Sequence, residues 1–194
     1  MPPSVLRSVI NSWVKKDKEK LMKIVEDLAQ WKAEYETGWL AHLRETGEFN
    51  WKIYNRPTNK AAPSGPGVNL SRSRLALISS AGAYLPQSQA PFDAENDFGD
   101  YTIRLFPSSI NLADLDYAHT HYDQTAVRQD PQVLLPLRHL EDLVTEGVIG
   151  ELVPSVISFS GYLPNVERTV NELIPAIVAA AKAETIDAAL LVPA

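Results

Sequence analysis

Short apolar runs alternating with helical patterns are the feature that most constrains the fold of this 194-residue chain. Four runs are predicted as strands: 74–79, 101–106, 156–159 and 186–192. Two stretches between them are predicted as helices: 137–144 and 165–184, the second kinked or split at Pro175. Strands that alternate with helices pair in parallel through right-handed crossovers. We therefore predict an α/β fold, a three-layer open and mostly parallel sheet of the Rossmann-like or flavodoxin-like type.

The first 70 residues have a different character. Leu21, Ile24, Leu28, Trp31 and Tyr35 recur at helical spacing and predict a helix over 17–45, capped by Asp17 and interrupted or stopped by Gly38 and Gly47. Proline and glycine then mark residues 55–70 as a linker. We predict two domains: a helical arm with its linker over 1–70, and an α/β domain over 71–194. The four tryptophans of the arm fit either a packing role or a partner-binding surface.

Composition excludes several function classes. The net charge of −6 argues against nucleic acid as a partner, because phosphate binding needs clustered basic residues. The chain has no cysteine, so it carries neither a disulfide framework nor a thiol nucleophile of its own. There is no apolar run long enough for a membrane span and no secretory signal pattern, so we expect a cytoplasmic location.

Residues 118–125 hold the densest polar cluster. In an extended segment His119 and His121 share a face and Asp123 continues the row, which makes these three weak candidates for a metal site. This pattern resembles the HxHxDH signature of metallo-β-lactamase-like hydrolases, except that Gln124 stands where that signature has histidine. A second interpretation is a small-molecule pocket lined by both histidines, Tyr122 and Asp123, with histidine as proton donor. A hydrogen-bonded loop with a purely structural role is the third.

Small residues follow two of the predicted strands. Ser80 and Gly82 come after the first strand, where backbone amides can approach an anion, although a plain turn explains them as well. Gly161 ends the third strand. We predict that a substrate contacts Ser80, Gly82, Thr125 and Gly161.

Several ordered segments point to a known family. They are residues 98–104, 109–115, 119–125, 134–140, 146–150 and 159–162. Together they resemble the glycine/sarcosine/betaine reductase and D-proline reductase selenoprotein B family, over residues 71–194. The resemblance implies reductive cleavage of a carbon–nitrogen or related bond in a small amine or amino acid. It also implies an oligomeric complex with a pyruvoyl-bearing subunit and a thioredoxin-like dithiol donor.

The resemblance also implies where the nucleophile stands. In that family the strand resembling residues 187–194 leads into a loop that holds selenocysteine or cysteine, and His119 or His121 would donate a proton to the leaving group. This chain departs from the family pattern at Gln124, where histidine is expected, and it holds no cofactor of its own. We expect selenocysteine or cysteine to follow Ala194, with a UGA codon read as a stop. Cleavage before a residue that becomes pyruvoyl is the rival explanation.

Two further expectations follow from a chain without its nucleophile. The isolated chain should show no turnover. Its last strand should lack the downstream segment that would pack over it, which favours self-association.

Two alternatives to a reductase subunit remain open from the sequence. One is a non-catalytic binding or assembly protein on the same scaffold, and the other is a metal-dependent hydrolase that uses His119, His121 and Asp123.

Overall fold

The computed structural model describes residues 24–61, 67–120 and 122–194. The chain divides into two compact units, Met1–Gly65 and Pro66–Ala194. Asp17 and Leu21, predicted to start the first helix, lie outside the described residues, and so does His121. No helix in the described ranges is both long and apolar enough to cross a membrane.

Within its described residues the first unit has two short helices, so the predicted helix is interrupted at one of the two glycines expected to interrupt or stop it. Helix α1 spans Leu28–Thr37 and helix α2 spans Trp39–Thr46, with the break at Gly38. Aromatic rings form its core: Tyr35 stacks on Trp31 with ring centroids 4.8 Å apart and on Trp39 at 5.6 Å. Trp39 is almost fully buried, whereas Trp51 packs against it and is half exposed. The tryptophans of the described part thus pack within one aromatic cluster that also contains Tyr35, Tyr54 and Phe49.

The second unit has seven strands and four α-helices among its described residues. The strands are β1 Arg74–Ser79, β2 Ala83–Tyr84, β3 Ile103–Pro107, β4 Asp116–Tyr117, β5 Glu151–Leu152, β6 Ser155–Phe159 and β7 Ala188–Val192. The helices are α3 Thr125–Gln129, α4 Leu137–Thr145, α5 Val166–Arg168 and α6 Ile174–Ala183, and a π-helical turn over Thr169–Leu173 joins the last two. Pro175 has no N–H for Asn171 four residues before it, so the turn lies where the α-helical ladder is interrupted, as Pro175 predicted.

Strand β1 is the centre of the main sheet. It pairs in parallel with β7 along its length on one side, and with β5 and then β6 on the other. Leu75 faces Leu152 and Ile78 faces Ile157, so the partner strand carries two extra residues at Val153 and Pro154. Proline cannot donate to a ladder, which explains why pairing is interrupted there.

Strand β3 corrects one sequence-based expectation. The alternation of strands and helices predicted parallel pairing, but β3 runs antiparallel to β6, with Ile103 opposite Phe159. No helix is predicted between β1 and β3, so the crossover rule did not constrain the direction of β3 relative to β1. A second, two-stranded sheet of β2 and β4 was not predicted. The predicted α/β fold with a mostly parallel open sheet and an N-terminal helical arm is confirmed, and the arm contains a pair of helices.

Burial on both faces explains why β1 reads as a continuous apolar run. Leu75 and Leu77 join a cluster that includes Leu137 and Leu140 of α4, while Ala76 and Ile78 are buried on the opposite face. Strand β7 is different: among the described residues it pairs with β1 only, and Leu191 is 68% exposed.

Candidate functional site

The carboxyl ends of three parallel strands meet at one edge of the main sheet. The Ser80 amide after β1 donates to the Val192 carbonyl of β7 at 3.1 Å, and the Gly82 amide donates to the Phe159 carbonyl of β6 at 2.9 Å. The Ala194 amide donates to the Ser80 hydroxyl at 2.8 Å. In open α/β sheets, ligands bind beyond the carboxyl ends of the strands. This edge is therefore the candidate functional site.

The backbone amides of the loop after β1 serve the fold. Besides Ser80 and Gly82, the Ala81 amide donates to the Ser79 hydroxyl at 3.3 Å. These N–H groups are hydrogen-bonded within the protein, where they join the ends of the strands. They therefore do not serve as donors to an anion, the role that a serine- and glycine-rich turn suggests. Contact of Ser80 and Gly82 with a substrate stays a prediction, and the Ser80 hydroxyl is the group with suitable chemistry.

His119 is buried at this edge, with only 6% of its surface exposed. The Ala118 amide donates to the Gly82 carbonyl at 3.0 Å, which ties the histidine loop to the loop after β1. A Cβ added at Gly161 would lie 3.1 Å from His119 Nε2 and 3.3 Å from the Ser80 hydroxyl oxygen. The structure thus brings together four of the predicted site residues: Ser80, Gly82, His119 and Gly161.

Tyr122 packs beside the imidazole. Its ring centroid is 4.5 Å from that of His119, and its hydroxyl donates to the Ala81 carbonyl at 3.0 Å. Burial raises the pKa of Tyr122 to about 12, with Arg128 opposing the shift. The phenol therefore stays neutral near pH 7 and acts as a hydrogen-bond donor that fixes the ring against His119.

Gln124 fastens the backbone that carries His119. Its side-chain amide nitrogen donates to the Tyr117 carbonyl at 3.2 Å and to the His119 carbonyl at 2.5 Å. Its side-chain oxygen accepts from Arg128 at 2.7 Å, and Arg128 also contacts Asp116 at 3.4 Å. The side-chain amide of glutamine has two N–H donors and bonds to both carbonyls. A neutral histidine, which the resemblance leads one to expect at this position, has one N–H and could bond to only one of them.

Asp123 and Thr125 have local roles at the start of α3. Both are exposed, and one Asp123 oxygen accepts from the Thr125 amide at 2.9 Å and from its hydroxyl at 2.7 Å. These bonds hold the pKa of Asp123 below its usual value. Residues 120 and 122 form bends and residue 124 lies in a turn, whereas the predicted row of His119, His121 and Asp123 required an extended segment.

Metal ligation finds no support in the described ranges. They contain no group of three or more histidine, cysteine, aspartate or glutamate side chains placed to hold a metal ion. The predicted trio His119, His121 and Asp123 includes one residue outside those ranges.

A second polar group lies beyond β6. The sequence indicates only one of its members, Arg168, as an arginine that could pair with a substrate carboxylate, and the group as a whole was not predicted. Asp100 and Tyr101, just before β3, line a cleft together with Arg168 and Glu172 of the helix after β6. The segment 98–104 was the sequence signal that could have indicated this group, but it was used only as one of the segments that resemble the family. Its residues are far from Arg168 in the chain, so no local pattern predicts that they meet.

Comparison with known proteins decides the family. The model of glycine/sarcosine/betaine reductase selenoprotein B matches residues 40–194. The chain belongs to this family. D-proline reductase subunit gamma of Acetoanaerobium sticklandii is 29% identical over 117 residues, covering 60% of this chain and 47% of the relative. Sarcosine reductase complex component B subunit beta of Peptoclostridium acidaminophilum is 30% identical over 111 residues, covering 56% and 25%.

These matches confirm the resemblance drawn from the sequence. The chain spans less than half the length of these two curated relatives. Both relatives are subunits of reductases by name, and the second belongs to a named complex. No solved structure matches the chain.

Proposed function

We propose that this chain is a cytoplasmic subunit of a reductase complex that cleaves a carbon–nitrogen bond in a small amino acid. The observation that carries the proposal is the edge where β1, β6 and β7 end, with His119 and the Ser80 hydroxyl side by side around Gly161. Family membership supports the reaction class, and the names of the relatives support a complex. A reducing compartment suits the thiol chemistry that such a reaction requires.

The redox residue of the complex would act at this edge. A selenolate or thiolate presented there supplies the nucleophile, and a dithiol donor supplies the two electrons as it becomes a disulfide. Gly161 allows the imidazole of His119 and the Ser80 hydroxyl to lie close to the backbone at this edge, because a Cβ there would be only 3.1 Å and 3.3 Å from them. A pyruvoyl-bearing partner that activates the amine completes the proposal.

His119 is the residue of this chain proposed to move a proton. As an imidazolium it would donate from Nε2 to the nitrogen that leaves carbon, and it would stabilise the anionic nucleophile before that step. Tyr122 and Gln124 would hold the ring and its backbone, respectively, in place. The Ser80 hydroxyl would orient the substrate or nucleophile by hydrogen bonding.

The test uses the protein purified with its native partner subunits. Dithiothreitol is added with glycine, sarcosine, betaine or D-proline, and release of the amine or of the ring-opened acid is measured. We expect cleavage of at least one substrate and a loss of about 100-fold or more in His119→Gln, the range that general acid catalysis contributes. Complex formation should be unchanged. Dithiol-independent release, or full activity of His119→Gln, would refute the proposal.

A further inference from the structure

We propose that the cleft lined by Asp100, Tyr101 and Arg168 is a binding site for a small zwitterion, with Arg168 facing the carboxylate and Asp100 facing the ammonium group. The cleft has a volume of about 530 Å³, within the range of small-molecule sites. The choice of an amino acid as ligand rests on the proposed function, whereas the pairing of charges is a property of the cleft.

The cleft is joined to the candidate site by one short segment. Gly161 lies against His119, and the next residue, Tyr162, lies against the loop before β3: its carbonyl would be 2.5 Å from a Cβ at Gly99. The Tyr162 hydroxyl donates to the Asp97 carbonyl at 3.0 Å. Gly99 has φ +77, a left-handed conformation that favours glycine. A residue with a Cβ could not come this close to the Tyr162 carbonyl. A ligand in the cleft would therefore lie beside the segment that carries Gly161.

The cationic side of the cleft is Arg168. Its guanidinium lies 4.1 Å above the centroid of the Tyr101 ring, and its Nε and Nη2 each donate to a Glu172 oxygen at 2.8 Å. A guanidinium carries five N–H donors, so Arg168 can hold Glu172 and a ligand carboxylate at the same time. Tyr101 is itself fixed, because its hydroxyl accepts from the Asn165 amide at 2.7 Å.

The anionic side is Asp100. It accepts from the amides of Asp93 and Thr102, at 3.0 Å and 2.9 Å, and from the Thr102 hydroxyl. Burial opposes its ionisation, but these hydrogen bonds and Arg104 outweigh burial and lower the pKa of Asp100. A carboxylate that stays ionised beside an aromatic ring is suited to an ammonium group. Asp93 and Asn96 line the same cleft.

The helix is irregular where it faces the cleft. Glu172 belongs to the π-helical turn and Arg168 immediately precedes it. Such turns occur frequently at functional sites because they displace side chains from the regular helical row. Pro175 accounts for the turn, and the turn places Glu172 next to the cleft.

The experiment titrates the full 194-residue chain, labelled with ¹⁵N, with sarcosine at pH 7. Acetate and methylammonium serve as probes of each charge alone. We expect saturable shifts of the amides of residues 99–103 and 168–172, with at least tenfold weaker binding of either single-charge probe. Arg168→Met and Asp100→Asn should each weaken sarcosine binding at least tenfold. No saturable shift up to the solubility of sarcosine, or equal binding of acetate, would overturn the proposal.

A matched pair of variants separates binding from folding. Glu172→Gln removes the carboxylate that competes for Arg168, so sarcosine should bind several-fold more tightly. Glu141→Gln neutralises a glutamate in a similar helical pair, Arg138–Glu141 at 3.1 Å, and should leave binding unchanged. Weaker binding or no change in Glu172→Gln would contradict the proposal.

Turnover in the complex distinguishes this inference from the proposed function. If His119→Gln abolishes cleavage while Arg168→Met alters neither binding nor KM, the cleft is not the substrate site and the reductase proposal stands. Saturable binding in the cleft without any dithiol-dependent cleavage supports the cleft and refutes the reductase.

Discussion

Gly161 and His119 lie in close contact at the candidate site, with Nε2 of the imidazole 3.1 Å from the position of a Cβ at residue 161. The glycine gives the buried ring its space at the end of β6, and it does so without a positive φ. Any side chain at residue 161 must therefore compete with the imidazole for the same volume.

Gly161→Ala should displace the His119 ring by a few tenths of an ångström. We expect a loss of about 1 kcal/mol in the free energy of unfolding, at the low end of overpacking costs. The Cε1 resonance of His119, assigned with His119→Gln, should shift. Gly147→Ala is the control: Gly147 has φ +73 and no atom within 4 Å of its Cβ position. That control should lose stability through backbone strain while the His119 resonance stays as in the wild type.

Gln124→Glu should loosen the backbone around His119. The change replaces the NH₂ group by a carboxylate oxygen facing the carbonyls of Tyr117 and His119. We expect a cost of about 1–3 kcal/mol in the free energy of unfolding, from lost hydrogen bonds and repulsion. Gln129→Glu, at an exposed position of the same short helix, should cost less than about 0.5 kcal/mol. Urea denaturation measures both variants, and equal costs would show that Gln124 does not clamp this loop.

The strands of the main sheet show how much of the fold could be predicted from the sequence. Strand β1 was predicted with its observed bounds because a strand buried on both faces is an unbroken apolar run. The direction of β3 was missed because period-two alternation is the same in parallel and antiparallel strands. Strands β2 and β4 have two residues each, too few for any periodicity.

The sequence predicted which residues belong to the site, and the structure gives their positions relative to one another. His119, Ser80, Gly82 and Gly161 meet because the loops after β1 and β6 converge, which follows from strands that end at the same edge. The predicted row through Asp123 relied on an extended backbone, whereas the Asp123–Thr125 bonds begin a helix. Contacts between Tyr101 and Arg168 depend on the packing of distant segments, for which no local sequence pattern exists.

Stability should fall as pH rises from about 10 towards 12. A tyrosine in the unfolded chain loses its proton near pH 10, whereas burial raises the pKa of Tyr122, and that of Tyr54, to about 12. The unfolded state therefore binds fewer protons than the folded state in this window, so higher pH favours unfolding. Thermal melts at pH 9 to 12 measure the slope, which should be shallower in Tyr122→Phe. Identical slopes in the two proteins would contradict a raised pKa at Tyr122.

Leu191→Lys should reduce self-association without harming the fold. Within the described ranges β7 pairs with β1 only, and it presents Leu190 and Leu191 on an uncharged outer strand. A lysine on such an edge opposes pairing with another chain, because the charge would have to be desolvated. Since Leu191 is 68% exposed, the free energy of unfolding should change by less than about 0.5 kcal/mol.

Val133→Lys provides the control, at a position 51% exposed in a turn rather than at a sheet edge. Light scattering against protein concentration should show a smaller mean mass for Leu191→Lys and an unchanged one for Val133→Lys. Equal decreases in both variants would mean that added charge, and not the edge of β7, governs association.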